Sequence, residues 1–315
     1  MHVFRWDLDK TYLHTEFGSV RKMVRTAFES ASSKVNTPGS ASLLRALQEH
    51  DPDSRTTVIS GSPKQMRKTL AAKLSLDRIR VDSLTLKDNL GNLRRGRLRA
   101  VWGQVGYKLP QLLAERTHQS PQDTESLFGD DAEVDAAVYA VYADAIAGRI
   151  DEAQVLKVLQ RGGAYEDDIK RALSALRRIQ HSNAVEDIFI RLDDGGPVGR
   201  FELLGPRVIP VFSWMQAALV LRKRGRLSDA GTSDVAKRCA EAGRISDTAM
   251  VSLVQDVVRR HLLTRDDVEE AIVHVPHLAG LKTQIARSLD LLGVVHARPL
   301  PPDTCDPIAF MDAVA

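Results

Sequence analysis

Up to Ile150 the chain alternates between short apolar runs and segments of helical periodicity, and this alternation limits the possible fold more than any other feature. His2 to Leu8, Thr56 to Ser60 (TTVIS), Ile79 to Leu86 (IRVDSLTL) and Thr124 to Asp131 (TESLFGDD) read as strands. Between them, Gly18 to Ser32, Ala41 to Glu49, the segment following GSP at 61–63, Lys108 to Gln119 and Asp135 to Gly148 read as helices. Pro110 would sit in the first turn of its helix, where the missing N–H costs nothing. Strand and helix in strict alternation predict a Rossmann-like α/β fold, a parallel sheet with helices on both faces.

After Ile150 the pattern changes. Residues 151–183 form a charged helical excursion broken by Gly162 and Gly163, and Val185 to Leu192 (VEDIFIRL) then returns as a strand. Beyond DDGGP (193–197) the chain is mostly helical: 214–225, 233–243, 248–263, a helix capped by Thr264 and Asp267, and 280–292. The proline-rich tail after Arg298 reads as extended. The expected organisation is an α/β domain over 1–198, with a helical insertion at about 151–183, followed by an all-helical domain over 199–315.

Composition adds limits rather than a function. With 44 basic and 41 acidic residues the formal charge is +3, too balanced to point to nucleic acid or membrane, so no stable partner of either kind is implied. Cys239 and Cys305 have no metal-ligand spacing and suggest a reducing compartment. MHVFRWDLDK has no apolar signal core, and no apolar run reaches membrane-spanning length, so the expected location is the cytoplasm.

Chemistry-bearing residues recur at the strand ends. Asp7 and Asp9 flank Leu8 in WDLDKT, and on a strand of period two they would share one face and repel each other. Ser60 ends TTVIS, with Gly61 and Ser62 following. Lys108 opens a helix. Asp130, Asp131 and Asp135 cluster in GDDAEVD. In a parallel sheet these would meet at one edge. Several carboxylates, a lysine and a hydroxyl suit a hard divalent cation and a phosphoryl group, and Mg²⁺ would also relieve the repulsion between carboxylates.

DLDKT, a hydroxyl ending a strand, a downstream lysine and GDDAEVD together resemble the four-motif signature of the haloacid dehalogenase (HAD) superfamily of phosphohydrolases. DLDKTYLHT, SGSP and GDDAEVDAAVY are most similar to its branch of actin-patch-associated phosphatidate phosphatases and their bacterial relatives. The likeness spans about 3–150. It implies a Mg²⁺-dependent phosphatase in which Asp7 is the nucleophile and Asp9 the general acid and base. Thr11 would fix the loop, while Ser60, Gly61 and Lys108 would hold the phosphoryl group. Asp130 would hold Mg²⁺ with Asp7 and the Asp9 backbone carbonyl, and Asp135, or else Asp131, would act through water. Relatives with DxDDT or DxDGT carry Asp or Gly where this chain has Lys10, which strand geometry would turn away from Asp9.

Bland readings accompany these. Acidic pairs at strand ends often only face solvent, and Asp favours helix N-caps. Ser62 could replace Ser60. Lys64 and Lys87 are rivals of Lys108 but would be solvated by default. Arg94, Arg95, Arg97 and Arg99 read as a solvated loop, or as a basic entrance for an anionic substrate. His274 and His277 lack a third metal ligand, and Trp102 and Trp214 read as core or interface. A receiver domain is excluded because no Asp ends the middle strand. The intervals from Asp7 to Ser60 to Lys108 leave no room for a large cap, so the substrate could be bulky, a lipid, protein or nucleic-acid phosphate. The competing function is a non-catalytic scaffold that binds phosphate or a partner.

Overall fold

The computed structural model describes residues 1–14, 30–88, 104–132, 134–193, 197–292 and 303–313. Most of the helix expected at 18–32 lies outside these residues, as do Arg94, Arg95, Arg97, Arg99 and Trp102. Six strands, β1 His2–Trp6, β2 Arg55–Pro63, β3 Ser83–Lys87, β4 Thr124–Asp130, β5 Val185–Arg191 and β6 Val208–Val211, form one sheet in the order β3-β2-β1-β4-β5-β6. Every pairing is parallel. The chain runs from β1 outward to β3, then restarts beside β1 with β4. The α/β expectation holds, and the reversal at β1 and β4 creates the crevice in which open sheets bind ligands.

Side-chain alternation sorts the apolar residues onto two faces. Phe4, Trp6, Val58, Phe128, Phe189 and Ile209 face α1 Ser40–His50, α2 Arg67–Leu76 and a C-terminal helical layer. Ile59, Leu127, Ile188 and Ile190 face α3 Val105–Arg116, α4 Asp135–Ile146, α5 Glu152–Arg161 and α6 Glu166–Leu176. Register puts Trp6 beside Phe128, and their rings stack 4.2 Å apart at 9°. Phe189 and Trp214 extend the column at 5.4 Å from Phe128 and Trp6 respectively. Such pairs contribute roughly 0.5–1.5 kcal/mol each beyond the buried area.

The C-terminal layer is helical as expected: α7 Trp214–Lys223, α8 Asp229–Gly243, α9 Asp247–Arg259, α10 Arg265–His274, α11 Pro276–Ala279 and α12 Lys282–Leu292. Thr264 and Asp267 form the capping box of α10. This layer shares its apolar core with β1, β4 and β5. His274 ends α10 and Pro276 opens α11.

Several local expectations give way. The sheet continues past residue 198, because β6 forms its final edge. Pro210 is tolerated there, on an edge strand. The strand expected from Ile79 begins only at Ser83. The tail is not wholly extended, since α13 Pro307–Ala313 packs Phe310 against Phe201. Helix α3 starts at Val105 rather than Lys108, which places Pro110 in its interior, where it removes the bond an N–H would give to the Gly106 carbonyl. Among the described residues no helix is long and apolar enough to cross a membrane. Cys239 and Cys305 are buried free thiols.

Candidate active site

Strand β1 ends at Trp6, so Asp7 and Asp9 lie in the turn beyond it and do not share a strand face. That turn separates them. Asp9 Oδ2 accepts hydrogen bonds from Ser60 Oγ at 2.9 Å and Ser62 Oγ at 2.7 Å. Asp7 faces the other flank, where its Oδ1 accepts from Lys108 Nζ at 2.8 Å. Lys108 Nζ also donates to Asp135. Ligand atoms of Asp7, Asp130 and Asp135 all fall within 4.8 Å of one another, and all three residues are buried. The Asp9 carboxylate is outside this group.

Each position has a local cause. Asp130 ends β4 and Asp135 begins α4. Gly129 lets Asp135 approach, since a Cβ there would lie 2.8 Å from the Asp135 Cβ. Lys108 is fully buried one turn into α3. The start of α3 is held by the α5–α6 insertion, and a Cβ at Gly106 would stand 2.8 Å from Ala164 Cα. Thr11 donates to Asp130 Oδ2 at 2.9 Å. Thr37 donates to the carbonyls of Thr11 and Tyr12, and Trp214 Nε1 donates to Thr37 Oγ1 at 3.4 Å, so α7 braces the loop from behind. Gly61 lies beneath the Gln104 side chain, which a Cβ would strike.

Lys10 adopts φ +59°, the left-handed region. Gly and Asp tolerate that conformation best, which suits their place in DxDGT and DxDDT; a lysine there costs roughly 1–2 kcal/mol. This turn, not strand geometry, sets the course of Lys10, whose Nζ sits 3.5 Å from Asp193. Asp131 faces Arg200 at 3.0 Å, so of the two alternatives Asp135 is the one beside Asp7 and Asp130.

The sequence reading missed two residues here. Lys87, expected to be solvated, is 1% exposed. Tyr107, in the first turn of α3, lies against it. The signal for Lys87 was its place at a strand C-terminus, where the other reactive groups also stand. Burial, followed by Asp135, pushes the hydroxyl of Tyr139 well above its usual range, so it stays protonated beside the carboxylates.

The donor set fits a hard divalent cation. Three buried carboxylates whose oxygens lie within 4.8 Å of one another, with the ammonium of Lys108 on two of them, offer the oxygen-rich donor set such an ion takes. The same group places carboxylate oxygens and a cation around one point, with Asp9 two residues from Asp7 in the same turn, an arrangement that suits phosphoryl transfer. Residues 6–155 match the family described as phosphatidate phosphatase APP1, catalytic domain. No curated protein and no solved structure matches the chain.

Proposed function

With residues 6–155 belonging to the family of the phosphatidate phosphatase APP1 catalytic domain, a HAD-like family, we propose that this chain is a Mg²⁺-dependent phosphomonoester hydrolase working through an aspartyl-phosphate on Asp7. The observation that carries the reading is the meeting of Asp7, Asp130, Asp135 and Lys108 at the C-terminal edge of β1 and β4.

A carboxylate oxygen of Asp7 attacks phosphorus, and the bond to the leaving oxygen breaks. Protonated Asp9 gives its proton to that oxygen, releasing an alcohol. Asp9, now a carboxylate, takes a proton from water as the water attacks phosphorus, which frees Asp7 and inorganic phosphate. Ser60 and Ser62 orient Asp9 for both transfers. Lys108 offsets charge on Asp7 and on the phosphoryl oxygens. Thr11 orients Asp130. Asp7, Asp130 and Asp135 would hold Mg²⁺, which would supply charge stabilisation to the transferring phosphoryl group.

Phosphatidate is the substrate that the family description suggests, and the short intervals between Asp7, Ser60 and Lys108 suit a bulky ester. The test is hydrolysis of para-nitrophenyl phosphate and of phosphatidate in mixed micelles, with and without Mg²⁺, by the parent and Asp7→Asn. Hydrolysis that needs Mg²⁺, disappears in the variant and leaves a phosphoryl adduct on the peptide carrying Asp7 is the expected result. A parent as inert as the variant on both esters would return the chain to the scaffold reading.

A further inference from the structure

Lys87 closes β3 at the same sheet edge as the proposed catalytic group, and its register partner on β2 is Pro63, next to Ser62. A cation buried to 1% exposure at that edge lies where open α/β sheets present groups to ligands. Its Nζ stands 5.6 Å from the centre of the Tyr107 ring, within cation–π range.

Tyr107 supplies an independent observation. Its hydroxyl oxygen is buried and has no hydrogen-bond partner among the described residues. A buried donor without an acceptor is costly, and an oxygen from a ligand would remove that cost. Burial drives the phenol pKa up against the opposing pull of Lys108, with Asp7 adding to the rise, so the group remains a donor close to the phosphoryl-transfer pair. Tyr107 immediately precedes Lys108 on α3. Lys87 and Tyr107 thus occupy the β2–β3 flank of Asp7, while Asp130 and Asp135 occupy the β4 flank.

We infer that Lys87 and Tyr107 form a subsite for a second anionic oxygen of the substrate, on its leaving-group side, so that the chain prefers phosphate esters carrying another negative group a few bonds from the scissile P–O bond. This inference rests on the phosphatase reading for its orientation. The phosphoryl group occupies the space beside Asp7 and Lys108, and the next polar atoms along the substrate meet the phenol and the ammonium.

The experiment compares kcat/KM for ethyl phosphate and phosphoglycolate. Phosphoglycolate places a carboxylate where ethyl phosphate has a methyl group. The parent should favour phosphoglycolate over ethyl phosphate by about tenfold, the scale of one hydrogen bond to a charged group. Tyr107→Phe and Lys87→Met should each bring that ratio to within about twofold of one. Lys87→Met keeps the apolar stem, and Tyr107→Phe keeps the ring.

A second arm measures calorimetric binding of phosphoglycolate and ethyl phosphate to Asp7→Asn, alone and combined with Tyr107→Phe. If the parent hydrolyses para-nitrophenyl phosphate but shows no preference, or keeps its preference in both variants, the subsite is overturned and the phosphatase reading stands. If no ester turns over yet Tyr107→Phe weakens phosphoglycolate binding about tenfold, the subsite stands and the phosphatase reading falls. Equal binding of both esters to Asp7→Asn overturns the subsite.

Discussion

The same four elements carry two buried clusters of charge, and the clusters are built on opposite principles. Deep in the sheet, Arg5 on β1 donates to Glu125 on β4 at 2.7 Å and to Glu115 on α3 at 2.6 Å. Arg116 on α3 donates to Glu125 at 3.1 Å, and Tyr142 on α4 donates to it at 2.9 Å. Two guanidinium groups face two carboxylates, so the formal charge is zero. At the strand ends, Asp7 just past β1, Asp130 on β4 and Asp135 on α4 crowd together beside Lys108 on α3. Balanced, hydrogen-bonded charge ties elements together, whereas crowded buried carboxylates suit a cation.

Neutralising one acid in each cluster should separate them most sharply. Asp7→Asn removes the nucleophile and should lower phosphatase turnover by ~10⁴-fold or more. Because it also relieves like-charge repulsion, its midpoint of thermal unfolding without Mg²⁺ should equal or exceed that of the parent. A clear loss of thermal stability would place Asp7 in a balanced network instead.

Glu125→Gln should act in the reverse sense. Burial alone would raise the Glu125 pKa, but Arg5 and Arg116 outweigh it and hold the carboxyl below its usual range. Losing that charge leaves two buried guanidinium groups short of compensation, at a cost of about 3–5 kcal/mol in a denaturant titration. A loss near zero would mean that water reaches the cluster.

Mg²⁺ should then distinguish the clusters without any change to the network. At one hundred times its dissociation constant it should stabilise the parent by about 2.7 kcal/mol, seen as a rise in melting temperature. Asp130→Asn should need far more Mg²⁺ for the same rise, while Arg5→Lys should respond as the parent does.

The last expected effect concerns acid and is spread over a wide pH window. Burial, then Arg226, lowers the His2 pKa to about 4, beside Thr124 and Ser126 at the start of the sheet. The unfolded chain therefore takes up a proton near the ordinary histidine pKa while the folded chain remains neutral, so stability falls as pH drops from about 6.5 to about 4. For one proton the slope is at most about 1.4 kcal/mol per pH unit. His2→Asn should flatten stability against pH in that window, and an unchanged slope would show that another group governs it.

What could be read in the chain was whatever depends on near neighbours. Thr264 and Asp267 announced a capping box, because both halves of that motif lie within one turn. VIPV at 208–211 gave no such signal, since four residues including Pro210 become a strand only when β5 offers an edge. Pro110 marked a helix but not its start, because α3 extends upstream to pack against Ala164, a contact remote in sequence.

By itself the sequence determined the strand–helix alternation and the order of the reactive residues, because periodicity and strand-end position are local properties that survive without a partner. Tertiary structure alone decided that Asp9 turns to Ser60 and Ser62 while Asp7 turns to Lys108, that Asp135 rather than Asp131 joins Asp130, and that Lys87 is buried. Those outcomes depend on which charges share a desolvated space, and that depends on the packing of α3 and α4 against β1 and β4.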